Sequence, residues 1–293
     1  MKLSRRDLLN GLAAGAALGP LSKISQRNAE AATHEGASKN QQQPVRFVRF
    51  RRRRERAYGI VDKDQVRELE GRNPFDSPVE TDRVYALDEV ELLCPCRPSK
   101  VLAMAGNYKS HIGEAPPPTN PEVFFKAPSA LLDPGGTIVI PPGTKEVHYE
   151  GELVVVIGKR MKKVSPDEAA SCVFGVTCGN DVSARDWQRS DRQWWRAKAS
   201  DTFGPLGPWI VRGIDYSDLL LTTRLNGEVK QKARTSQLIF SVPALVSFIS
   251  QHVTLLPGDA IYTGTPGRTS AMKPGDVVEV EIEKIGVLKN QVA

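Results

Sequence analysis

The apolar positions of this sequence fall into short runs, each closed by glycine or proline. Residues 101–105, 123–125, 137–140, 153–157 and 277–282 are β-branched or apolar stretches of strand length. Residues 219–230 carry Asn226-Gly227 between two strand-like runs, the signature of a tight hairpin. Residues 58–61 and 65–69, separated by Asp62-Lys63-Asp64, predict a second hairpin. Helical signals are few. Ser165-Pro166-Asp167-Glu168 supplies a cap, a first-position proline and an acid three residues after the cap. Residues 242–253 predict the other helix. Many strands with few helices give a β-rich α+β fold, a mixed sandwich or roll rather than a βαβ sheet. Residues 45–98 are expected to form a small N-terminal β-rich unit, closed by Pro95-Cys96-Arg97-Pro98, and residues 99–293 the main domain.

The first residues pattern differently. Ser4-Arg5-Arg6-Asp7-Leu8-Leu9 places paired arginines before a small-residue apolar stretch, and Ala29-Glu30-Ala31-Ala32 offers small residues for cleavage. This is a twin-arginine export pattern over residues 1–32, followed by a linker over 33–44 rich in glutamine. The expected location is the periplasm, reached through the twin-arginine machinery. The apolar stretch is too short to span a bilayer, and no stable membrane insertion is expected.

Of 293 residues, 40% are apolar and 25% charged, with a formal charge of +6. About half of that excess lies in residues 1–32, where Lys2, Arg5, Arg6, Lys23 and Arg27 outnumber Asp7 and Glu30. The remainder is a weak basis for a nucleic-acid partner. The densest charge run is Arg46, Arg49, Arg51, Arg52, Arg53, Arg54 and Arg56. Val45, Phe47, Val48 and Phe50 interleave with its first members, as in a strand with one wet face, and a solvated strand end and turn is expected. The four cysteines lack two separated Cys-x-x-Cys pairs, so buried thiols are expected rather than a zinc site.

The sharpest chemistry lies in His148-Tyr149-Glu150-Gly151-Glu152, just ahead of the apolar run 153–157. On a strand, positions i and i+2 share a face, which sets Glu150 and Glu152 side by side. Two such carboxylates are costly to bury without a cation, although a solvated strand face would also tolerate them. Asp181, at a strand-to-helix corner, is either a helix cap or the third member of a carboxylate set suited to Mg²⁺ or Ca²⁺.

Five segments in order carry a resemblance: Gly106-Asn107-Tyr108 with His111; His148-x-Glu150-x-Glu152; Asn180-Asp181-x-Ser183-Ala184-Arg185-Asp186; Lys198-x-x-Asp201 with Gly204-Pro205-x-Gly207-Pro208; and Thr263-Gly264-Thr265-Pro266. From about Val101 to the C-terminus the chain resembles the fumarylacetoacetate hydrolase family. The resemblance implies that family's mixed β-roll, a cation held by Glu150, Glu152 and Asp181 (Mg²⁺, alternatively Mn²⁺ or Ca²⁺), and a 2-oxo acid as substrate. It implies His111 as the base, oriented by Glu114, and Lys198 as the stabiliser of developing negative charge. Gln188 and Thr265 match positions that hold substrate oxygens, and His148 is expected to support the acids without ligating. A homodimer is implied as well.

The expected reaction is hydrolytic carbon–carbon cleavage of an acylpyruvate-type diketo acid. Isomerase, tautomerase, decarboxylase or ureidoglycolate-type lyase chemistry suits the same residues. Two departures stand out: the stiff Ala115-Pro116-Pro117-Pro118 after Glu114, and Gly267-Arg268 after Thr265-Pro266. A non-catalytic binding protein on the same fold would be expected to lack His111, Glu114 or Lys198, and all three are present.

Overall fold

The computed structural model describes residues 43–293. The expected export signal, and the linker up to residue 42, lie outside the described residues.

A twelve-stranded sheet and a five-stranded sheet form the body of the fold. The strand Gly151–Ile157 runs through the large sheet between Val173–Asn180 and Ala260–Tyr262, antiparallel to both. All seven of its residues are buried, which explains its unbroken apolar run. Its alternate side chains serve two cores. Leu153, Val155 and Ile157 pack with Leu221, Val280, Ile282 and Leu288 of the smaller sheet, and with Val242, Val246 and Ile249 of the helix Val242–His252. Val154 and Val156 face the other way, against Val101, Ala103, Ala260, Tyr262 and Phe174. Full burial of each such side chain contributes about 1.5–3 kcal/mol. The expected β-rich sandwich is therefore the fold observed.

The N-terminal strands are part of the large sheet. Val45–Arg52 pairs with Gly204–Arg212 on one side and with Glu55–Asp62 on the other. Gln65–Leu69 and Glu80–Ala86 extend the sheet to its edge. Both predicted hairpins form. Asn226 and Gly227 hold φ of 53° and 81°, the left-handed pair a tight hairpin requires, between Leu220–Leu225 and Glu228–Arg234. The predicted helix start is a complete capping box: Ser165 Oγ accepts from Glu168 N, and the Glu168 carboxylate accepts from Ser165 N.

The helix Arg185–Ser190 follows the expected strand-to-helix corner and carries Gln188, and a further short helix with no local signal, Trp195–Ala199, carries Lys198. Their aromatics pack locally. Trp194 meets Phe124 edge-on at 5.4 Å, while Trp195 is largely exposed. Cys94, Cys96 and Cys178 are buried free thiols, and burial pushes Cys96 up to about 12. Among the described residues no helix is long and apolar enough to cross a membrane.

Candidate metal centre and active site

Register brings the acids together. Gly151 pairs with Asn180, so Glu150 and Asp181 face each other at the end of the ladder, joined by Asp181 N donating to Glu150 O at 2.8 Å. Asn180 Oδ1 accepts from Glu150 N at 2.8 Å and fixes that corner. Glu152 follows one residue into the strand. Gly151 between them tolerates no side chain, because a Cβ there would lie 2.0 Å from Thr223 Oγ1. Glu150, Glu152 and Asp181 are all buried, and one oxygen from each falls within 4.8 Å of the others.

Three cations surround these acids. Lys198 Nζ donates to Glu150 Oε2 and to Asp181 Oδ2, each at 2.6 Å. Lys126, wholly buried at the end of the strand Glu122–Lys126, donates to Asp181 Oδ1 at 2.6 Å and to the Lys198 carbonyl. Arg185 donates to Glu150 Oε1 and, at 2.9 Å, to Thr269 Oγ1. Neither Lys126 nor Arg185 was assigned a role from sequence. Arg185 lies within Asn180-Asp181-x-Ser183-Ala184-Arg185-Asp186, whereas Lys126 is one lysine after an apolar run and carries no local signal.

Burial would raise the Glu150 carboxyl, but Lys198, Arg185 and His111 together hold it below the usual carboxylate range. Glu152 behaves oppositely. Burial, then the charges of Asp181 and Glu150, push it well above that range. Its Oε2 accepts from Gly264 N at 2.7 Å, while Oε1 is buried with no hydrogen-bond partner. Burial lowers the Lys126 ammonium, with Asp181 partly opposing. Burial also acts against the Lys198 ammonium, but Asp181 and Glu150 outweigh it and raise it.

These residues fit a hard divalent cation. The donors are carboxylate oxygens, the orphaned Glu152 Oε1 lacks a counter-charge, and an ammonium already lies between the other two acids. The buried set Glu150, Glu152 and Asp181 is able to hold such an ion.

The other expected residues fall at varying places. His111 lies in the turn Lys109–Ile112, with Nδ1 2.7 Å from the carbonyl oxygen of Gly267 and Nε2 4.0 Å from Glu150 Oε1. Glu114 makes no hydrogen bond or ion pair with it among the described residues. The turn ends at Ile112, Gly113 takes φ 64°, and the chain leaves the helical path, so a spacing of three no longer shares a face. Glu114 is exposed. Gln188 Oε1 accepts from Arg185 at 2.8 Å. Thr265 is buried, donating to Gly151 O at 2.9 Å and accepting from Gln231 Nε2 at 2.8 Å. His148 touches none of the three acids. It meets Thr269 Oγ1 at 2.9 Å and Glu146 at 3.2 Å, and reaches Glu150 through Thr269 and Arg185.

Residues 100–293 match the family described as fumarylacetoacetate (FAA) hydrolase C-terminal, and residues 45–95 match Rv2993c-like, N-terminal. The chain belongs to the fumarylacetoacetate hydrolase family. It is 47% identical over 225 residues to Protein Rv2993c of Mycobacterium tuberculosis, covering 75% of this chain and 85% of that one. It is 43% identical over 224 residues to the mitochondrial oxaloacetate tautomerase FAHD2A of Bos taurus, covering 71% of each. The crystal structure of 2-hydroxyhepta-2,4-diene-1,7-dioate isomerase from Mycobacterium marinum superposes with a TM-score of 0.80 at 42% identity, covering 85% of this chain and 98% of that one. Members of the fumarylacetoacetate hydrolase family include hydrolases, isomerases and a tautomerase, and the family is generally divalent-metal dependent.

Proposed function

We propose that this protein is a divalent-metal-dependent tautomerase or isomerase of a small 2-oxo acid, moving a proton between keto and enol forms. The observation that carries this reading is the partner of His111. A carbonyl oxygen accepts and never donates, so the contact with Gly267 O fixes the proton on Nδ1. Nε2 is therefore the ring nitrogen turned toward Glu150 and the acid cluster, 4.0 Å away, and it is the ring atom placed to take up a proton. A single base so placed suits removal of a proton beside an oxo group. Hydrolysis, the reaction first expected, asks His111 and Glu114 to activate water as a pair, and Glu114 stands exposed past the turn. The relatives named for tautomerase and isomerase activity support the same choice.

Bound at Glu150, Glu152 and Asp181, a divalent cation such as Mg²⁺ would polarise the oxo group and anchor the adjacent carboxylate. Lys198 would face the charge that develops on the oxo oxygen. Gln188 keeps its amide N–H groups for a substrate oxygen while Arg185 holds its carbonyl. Thr265 shapes the rim through Gln231 and Gly151.

Proton NMR of oxaloacetate in D₂O with Mg²⁺ tests the reading. Solvent exchange at the carbon next to the oxo group is expected to run ahead of any cleavage product, and to survive Glu114→Gln. Cleavage keeping pace with exchange, and lost in Glu114→Gln, would return the protein to hydrolysis.

The proposal includes export by the twin-arginine route, carried by Arg5-Arg6. Fractionation of a bacterial host is expected to find the chain in the periplasm and its Arg5→Lys/Arg6→Lys variant in the cytoplasm. Equal distribution of the two would remove the export claim. The proposal also includes a homodimer; sedimentation of the purified chain at the mass of one protomer would remove that part.

A further inference from the structure

The arginine run is not absorbed by the acid cluster. The strands Val45–Arg52 and Glu55–Asp62 are joined by Arg53 and Arg54 alone. Arg53 takes φ 56°, the left-handed conformation for which hairpin turns favour glycine or asparagine. Two positions back from the turn, Arg51 stands directly opposite Arg56, and like charges so placed destabilise a hairpin. Glu91 offsets Arg51 alone. Arg53, Arg54 and Arg56 are exposed, and among the described residues they form no ion pair.

Beside the turn lies a cavity of about 700 Å³, lined by Arg52, Arg53, Arg54, Arg56, Glu68 and Tyr85 among others. Its acids do not neutralise it. Glu68 is engaged by Arg83 and by the Tyr85 hydroxyl at 3.0 Å, leaving Glu55 against four arginines. A sequence that sets four guanidinium groups around one concavity, at the expense of its own turn, is built for a ligand rather than for the hairpin.

We propose that this hairpin cavity binds a compact, multiply charged oxyanion: a polyphosphate group, free or carried on a nucleotide, or a tricarboxylate. Two observations favour a compact anion over a nucleic-acid strand. The face of Tyr85 is already covered by Arg52, 4.6 Å from the ring centre, so that ring is closed to base stacking. The flanking arginines are satisfied, Arg51 by Glu91, Arg67 by Glu80 and Arg83 by Glu68, so the unpaired charge is a focus rather than a track.

Calorimetric titration of the full chain with inorganic tripolyphosphate, and separately with ATP and citrate, tests this at low and at physiological salt. Saturable binding that weakens with salt is expected, and whichever anion leads the series identifies the source. In Arg53→Gly/Arg54→Ser/Arg56→Gln the affinity should fall at least about tenfold. The variant's thermal midpoint should rise, because the turn gains glycine and Arg51 loses its like-charged neighbour, and tautomerase turnover should be unchanged. If the triple variant is less stable, Arg56→Gln alone, at an exposed position, supports the same comparison. Three results would overturn the proposal: no saturable binding at low salt, undiminished binding by both variants, or tighter binding of heparin or single-stranded RNA than of any compact anion.

Discussion

Replacing Glu152 with glutamine is expected to abolish tight divalent-cation binding while leaving the protein folded. Glutamine matches the volume of the buried acid, and its amide oxygen can still accept from Gly264 N. What disappears is the negative charge and the free oxygen at Oε1, which has no partner within the protein. Loss of a supporting residue behind a ligand typically costs 10–100-fold in metal affinity, so loss of a ligand should exceed about 100-fold. Calorimetry with Mg²⁺ reads the affinity, and the thermal midpoint of the metal-free variant should stay within about 4 °C of the parent. Unchanged affinity in a folded variant would remove Glu152 from the ion's ligands and end the metal-centre reading of this cluster.

The second large effect is expected at His111. His111→Asn keeps a side-chain donor for the Gly267 carbonyl but removes the Nε2 base that faces Glu150. Proton exchange at the substrate carbon should fall by about 10²–10⁴-fold, the contribution of a positioned general base. Cation affinity should not change, which separates this variant from Glu152→Gln. Exchange surviving within about tenfold would show that another group moves the proton, since a positioned base contributes at least ~10²-fold.

Local pattern decided a great deal of this molecule. The seven-residue buried strand, the Asn226-Gly227 turn and the Ser165 capping box each follow from neighbours in sequence, because periodicity, left-handed φ and cap geometry are local properties. The pairing of Glu150 with Glu152 was legible for the same reason, two positions apart at the start of one strand. Asp181 became legible once its motif was set beside theirs.

Tertiary structure decided the rest. Lys126 reaches Asp181 across 55 residues of sequence, and its position exists only because the strand Glu122–Lys126 ends at the cluster. Glu114 leaves the helical turn that holds His111 through the positive φ of Gly113, while the spacing in the sequence suggested one shared face. The sequence by itself determined which elements form and which acids are available. Only the folded chain determined which cations meet those acids and which way the histidine faces, because charge pairing in a buried site depends on strand register and chain path, and neither is encoded within any single segment.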